Sequence, residues 1–180
     1  MEPGPTMQQS DSPSYIPVPP LPPPLKDVTS LLTPGALERL RRAYSQTPHQ
    51  VANTSIDTIT GMYEKSTDLL QEMLTEFYEP QDFARDREQI VIALLAARMG
   101  NRRMYLALHF YWGLMVGLDP KDIAYRLLFV SFYSGIDTLT SSLETLAVVL
   151  KRLEQHTTAA SSDDALEPQT IMAMLKTLFP

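Results

Sequence analysis

The sequence predicts an all-α protein, and three observations carry that prediction. From Thr33 onward, apolar residues recur at three- and four-residue steps through almost every segment. Thr, Asp and Pro mark the starts of these segments, and Gly or Pro marks their ends. No run of strand-like alternation interrupts them.

The first 28 residues read differently from the rest. The stretch "SPSYIPVPPLPPPL" is rich in proline, which removes backbone donors and favours extended polyproline II conformation. Residues 1–28 are therefore expected to form a disordered or extended arm. The run "PPLPPP" has the P-x-x-P spacing that proline-binding modules accept. Composition alone favours a spacer, or an arm laid along a neighbouring subunit.

A helical domain is expected over residues 29–155. Its first helix opens "TPGALERLRRAY", with Thr33 as cap, Pro34 in the first turn, and Leu37, Leu40 and Tyr44 on one face. A second is expected from near Asp57 to Tyr78, where Ile59, Met62, Tyr63, Leu69, Leu70, Met73, Leu74 and Phe77 follow helical spacing. Glu79-Pro80 ends it. The third, "ARDREQIVIALLAARMG", places acids early and Arg98 late, as the helix dipole favours. Its Ile90–Ala97 run is apolar on nearly all sides, which predicts a central position.

The fourth helix is expected from Arg102 to Val116, with Gly117 ending it. Asp119 caps the fifth and Pro120 takes its first position; Ser134-Gly135 ends it. The sixth runs from Ile136 to about Gln155, with an apolar stripe of Ile136, Leu139, Leu143, Leu146, Leu150 and Leu153. That stripe suits helix packing or a subunit interface. Residues 156–180 read as a polar linker and a short amphipathic helix, "EPQTIMAMLKTLF".

Composition narrows the function. A net charge of -6 argues against nucleic acid as the main partner, because phosphate binding needs a basic face. The absence of cysteine excludes disulfides, thiolate metal sites and thiol redox chemistry in this chain, and fits a cytoplasmic protein. The N-terminus has no signal-peptide pattern, and no apolar run approaches membrane-span length. His49 lies in a turn-like loop and His156 at a helix end, and neither has a partner at metal-ligand spacing. No metal and no cofactor is expected.

The segment with most chemistry is "MYLALHFYWGLMVGLDPKDI". Helical spacing puts Arg102, Tyr105 and His109 on one face, followed by Trp112 and Gly113. Imidazole is the side chain whose unperturbed pKa lies closest to neutrality, so His109 is the candidate general acid–base. Arg102 is the candidate anion-binding group and Tyr105 the candidate hydrogen-bond donor. Gly113 and Gly117 cost helix stability, roughly 1 kcal/mol each relative to Ala, so close approach of a backbone or a ligand is expected. Glu88, Trp112, Gly113 and Tyr133 are weaker candidates for the pocket. The plainer reading is a core histidine bonded to a backbone carbonyl or a carboxylate, with Glu88 more often a solvated acid complementing the helix dipole.

The ordered series "RDREQIVIALLAARMGN…MYLALHFYWGLMVGLDPKDIAYRLLFVSFYSGIDTLTSSLETL" resembles the carboxymuconolactone decarboxylase and alkylhydroperoxidase D-like superfamily. The resemblance rests on Arg87-Glu88 opening an Ala/Leu-rich helix, the helix carrying His109, the Gly117-Leu118 to Ile123 step, and the corner Tyr133-Ser134-Gly135. It covers about residues Arg85 to Leu153. It implies an orthogonal bundle of six or seven helices, assembly into trimers or hexamers, and an active site bordered by the His109 helix. The peroxidase branch carries a Cys-x-x-Cys where this chain has Arg102 and Tyr105, so dithiol peroxidase activity is excluded.

The decarboxylase branch is similar in keeping the histidine for acid–base work on a small carboxylated lactone. This chain departs from the pattern at Gly113, where Ala is usual, and at Asp137, where Pro is usual. The resemblance thus implies a cofactor-independent decarboxylase, isomerase or cyclase acting on a small or polyketide-like carboxylate, lactone or ketone. The alternative is a non-catalytic helical oligomer that binds a ligand or partner protein.

Overall fold

The structure is a computed structural model, and it describes residues 23–45, 50–51, 72–98 and 103–179. All regular structure among these residues is helical. The helices are α1 (Pro23–Thr29), α2 (Pro34–Ala43), α3 (Ala84–Ala97), α4 (Arg103–Met115), α5 (Pro120–Ser134), α6 (Ile136–Ala159) and α7 (Pro168–Leu178). Residues 72–78 are also helical, and short 3-10 turns occupy Gln81–Phe83 and Asp163–Leu166. The expected helix from Asp57 to Tyr78 lies outside the described residues up to position 71.

The centre of the fold is α4, not α3 as the apolar run Ile90–Ala97 predicted. Every residue of α4 from Leu106 to Leu114 is buried. It packs against α3 and α6 on two sides and against α2 and α7 on others. Helix α3 instead buries one stripe, Ala84, Glu88, Ile92 and Ala96, and leaves Ile90 and Leu94 more than half exposed. A strict four-residue step defines that stripe, and a helix lying against the surface of a bundle needs no more than one such face.

Turn chemistry fixes how α4 hands over to α5. Gly117 adopts φ +99°, a left-handed value that side-chain-bearing residues avoid. The amide of Leu118 donates to the Gly113 carbonyl at 2.9 Å and that of Gly117 to Leu114 at 3.4 Å, which together make a Schellman close. Arg41 of α2 then binds the exposed carbonyls of Leu114 and Leu118, at 2.9 and 3.0 Å. The Asp122 carboxylate accepts the Asp119 amide at 3.1 Å, and Pro120 sits in the first turn of α5 as its sequence predicted.

Two boundaries of the sequence reading are corrected. Residues Pro23–Thr29 of the arm expected to be disordered or extended are helical, and Leu25 is buried. Proline is compatible with a first helical turn, whose amides lack intrahelical partners, so a proline run can lead into a helix it could not continue. The rest of the arm lies outside the described residues.

At the other end, α6 continues to Ala159, and the segment 156–179 contributes to the main core. Leu166, Ile171 and Leu175 are fully buried there; the Asp163–Leu166 turn packs on α2, and α7 packs on α4. Arg39 anchors this end through Asp163 at 2.8 Å and the carbonyls of Thr157 and Ala160. The stripe on α6 is mostly intramolecular: Leu146, Leu150 and Leu153 are fully buried, Leu139 and Leu143 half-buried, and Ile136 exposed. No described helix is long and apolar enough to cross a membrane.

Candidate functional site

The buried stripe of α3 brings one carboxylate into the core, and the buried run of α4 brings one imidazole to meet it. Glu88 Oε2 lies 2.8 Å from His109 Nδ1, with both side chains almost wholly enclosed. The approach of the two helices is close because α4 has no side chain at position 113. A Cβ there would stand 3.0 Å from Leu118 Cδ1 and 3.1 Å from Ile92 Cδ1, with Glu88 Cβ at 3.9 Å. Gly113 therefore serves packing between α4, α3 and the turn after α4. Trp112 meets the imidazole edge-on, with ring centroids 5.0 Å apart.

Behind Glu88 lies a cation. The Arg87 side chain is nine-tenths buried, with Nε 3.9 Å from Glu88 Oε1. Its Nη1 donates to the carbonyls of Phe77 and Pro80, at 3.1 and 3.3 Å. Its guanidinium lies over the Tyr78 ring at 4.8 Å, a cation–π contact in a desolvated place. Arg87 Nε itself has no hydrogen-bond partner. A cavity of about 30 Å³ opens among Tyr44, Tyr78, Gln81, Arg87, Glu88 and Trp112. That volume holds one water and no organic substrate. Burial and the negative charge of Glu88 push the Tyr44 hydroxyl well above the usual tyrosine range, partly offset by Arg87. Burial alone does most of the same to Tyr111.

Of the residues nominated from sequence, the structure brings together Glu88, His109, Trp112 and Gly113. Tyr105 is half-buried one turn before His109. Arg102 lies outside the described residues. Tyr133 is elsewhere: it is 81% exposed near the end of α5 and packs against Phe129, with ring centroids 5.6 Å apart. Glu88 is not the solvated acid its place in the first turns of α3 allowed. The signal for its burial was the four-residue step Ala84, Glu88, Ile92, Ala96. Arg87, Tyr44 and Gln81 were missed as a group, because nothing local links three positions so far apart in sequence.

Among the described residues, no three His, Cys, Asp or Glu side chains gather to hold a metal ion. The arrangement does suit proton transfer. With Glu88 ionised, Nδ1 of a neutral His109 carries the proton and donates it to the carboxylate, which leaves the Nε2 lone pair as the base. Comparison with protein families, with curated proteins and with solved structures gave no match.

Proposed function

We propose that this chain is a cofactor-independent acid–base enzyme of the carboxymuconolactone decarboxylase-like branch. Its substrate would be a small or polyketide-like carboxylate, lactone or ketone, which it decarboxylates, isomerises or cyclises. The observation that carries this reading is the 2.8 Å contact between Glu88 and His109. A carboxylate on Nδ1 fixes the ring and selects the tautomer that a general base at Nε2 requires. The ordered resemblance around Arg87-Glu88, His109 and Gly117 supports the same branch. The cavity behind Glu88 is too small for an organic substrate, so Nε2 of His109 is proposed as the catalytic nitrogen. Arg102 is assigned to the substrate carboxylate and Tyr105 to an orienting hydrogen bond. The absence of cysteine suits action in a reducing cytoplasm.

A separate observation favours a second reading, a non-catalytic helical oligomer. Phe132, Tyr133 and Ile136 are 75%, 81% and 69% exposed around the α5–α6 corner. Beside them a groove of about 410 Å³ is walled by Tyr125, Leu128 and Phe129. Adjacent exposed aromatics of this kind mark an association surface. Assembly as a trimer or hexamer is proposed under both readings.

The test is proton exchange in heavy water with a panel of carboxylated lactones and β-keto acids, followed by NMR. Wild-type protein should exchange or decarboxylate at least one class, and His109→Gln should abolish this while keeping the oligomer and its helical spectrum. Turnover that survives in His109→Gln, or no reaction with any of the panel, transfers the assignment to the second reading.

A further inference from the structure

We infer that Arg87 is the positioning residue of the Glu88–His109 pair, acting through one water held in the cavity behind Glu88. The inference rests on the acid–base reading only for its catalytic consequence; the arrangement itself is a property of the protein without substrate.

Three observations converge. Arg87 Nε is buried and has no hydrogen-bond partner, although the rest of the guanidinium is fixed by two carbonyls and the Tyr78 ring. It lies 3.9 Å from Glu88 Oε1, too far for a direct hydrogen bond and well placed for a bridged one. The cavity of about 30 Å³ is lined by both side chains and is large enough for one water. A buried carboxylate is stabilised by a compensating positive charge, and among the described residues Arg87 is the arginine or lysine whose side chain approaches Glu88.

The two oxygens of Glu88 thus have separate duties. Oε1 faces the Arg87 side of the pair, and Oε2 lies 2.8 Å from His109 Nδ1. With Arg87 holding the carboxylate form in place, the imidazole proton belongs on Nδ1, which leaves Nε2 as the base. Without the cation, the buried carboxyl is held as the neutral acid by one proton from solvent. The ring proton leaves Nδ1 as another is taken up at Nε2, and the carboxyl O–H then donates a hydrogen bond to the Nδ1 lone pair. The single proton of the neutral imidazole then resides on Nε2. The number of protons on the ring is unchanged, but the basic nitrogen now points at Glu88. Arg87 in this way sets which nitrogen of His109 is available for chemistry.

The experiment is nitrogen-15 NMR of the histidine rings of the full chain, without substrate and at mildly alkaline pH. His109 is assigned by its loss in His109→Gln. The wild type should show the Nδ1–H tautomer as the major form. Arg87→Met should invert it to Nε2–H, and Arg87→Lys, which keeps a cation, should hold the wild-type form. A folded Arg87→Met protein that retains the Nδ1–H tautomer overturns the inference. Should Arg87→Met fail to fold, a high-resolution crystal structure of the wild type decides. One water between Arg87 Nε and Glu88 Oε1, with equal carboxylate C–O lengths, supports the inference; a dry cavity or unequal lengths overturns it. The tautomer is read with no substrate present, so its outcome is independent of whether His109→Gln loses turnover.

Discussion

Glu88 and His109 stand 21 residues apart in the chain and 2.8 Å apart in the core. This contact ties α3 to α4 by a charge-assisted bond where both helices are buried, and such bonds are stronger than neutral ones. Its removal has a structural cost separate from any catalytic one. Glu88→Ala strands the His109 Nδ1–H in an enclosed place, and should destabilise the fold by about 1–3 kcal/mol. Crossing it with His109→Ala should give a coupling energy of about 1–3 kcal/mol in urea unfolding. A coupling near zero would mean that the two side chains are neighbours without being partners.

Gly113 and Gly117 are both required, for different reasons, and substitution separates them. A methyl at Gly113 meets the tips of Leu118 and Ile92, while helix propensity alone would favour Ala by roughly 1 kcal/mol. Both neighbours are packed in the core, so Gly113→Ala should end destabilised by about 1 kcal/mol. Ile92→Val removes one of the two contacting methyls, and the double variant should be more stable than the sum of the singles predicts. Gly117→Ala meets nothing in space and is strained only by φ +99°, so Ile92→Val should leave its cost of about 1 kcal/mol untouched.

The tyrosines give the pH prediction. Tyr111 is wholly buried and its hydroxyl has no hydrogen-bond partner. Tyr111→Phe should therefore be neutral or stabilising by up to about 1 kcal/mol, measured as a rise in Tm. Tyr44 and Tyr111 both keep their protons in the fold far above the ordinary tyrosine range, chiefly through burial. The unfolded chain releases those protons from about pH 10 upward, so it binds fewer protons than the fold and stability falls as pH rises. Absorbance of tyrosinate should show these two of the eight tyrosines ionising only together with unfolding. The Tyr44→Phe, Tyr111→Phe double variant should lose that coupled step.

Much of the helical order was legible because each end carries its own chemistry. Thr33-Pro34, Gly117 with Asp119-Pro120, and Gly135 place three junctions within a residue of where they occur. The burial of His109 was legible too, since apolar residues surround it on every side of α4. What sequence could not give was depth. The Ile90–Ala97 run of α3 looks as apolar as α4, yet Ile90 and Leu94 face outward, because which helix is central is decided by how many neighbours pack on it. The companion of His109 was likewise a matter of tertiary geometry. Glu88 reads as an ordinary acid in the first turns of a helix until α4 is laid against it.

The exposed corner of α5 and α6 yields the last prediction. Phe132 and Tyr133 lie outside the buried cluster, so replacing both with Ser should change monomer stability by no more than about 0.5 kcal/mol each. An association surface responds differently, because aromatic side chains buried on assembly contribute strongly to binding. Light scattering after size exclusion should find the wild type as a trimer or hexamer at micromolar concentration, and Phe132→Ser, Tyr133→Ser shifted toward monomer. The neighbouring polar pairs, Arg85 with Asp122 at 3.1 Å and Arg126 with Gln89, rim the same groove. Charge reversal at Arg126 should weaken the assembly in low salt more than in high salt if that rim joins the contact. A wild type that stays monomeric over this concentration range removes the proposed homo-oligomer from both functional readings.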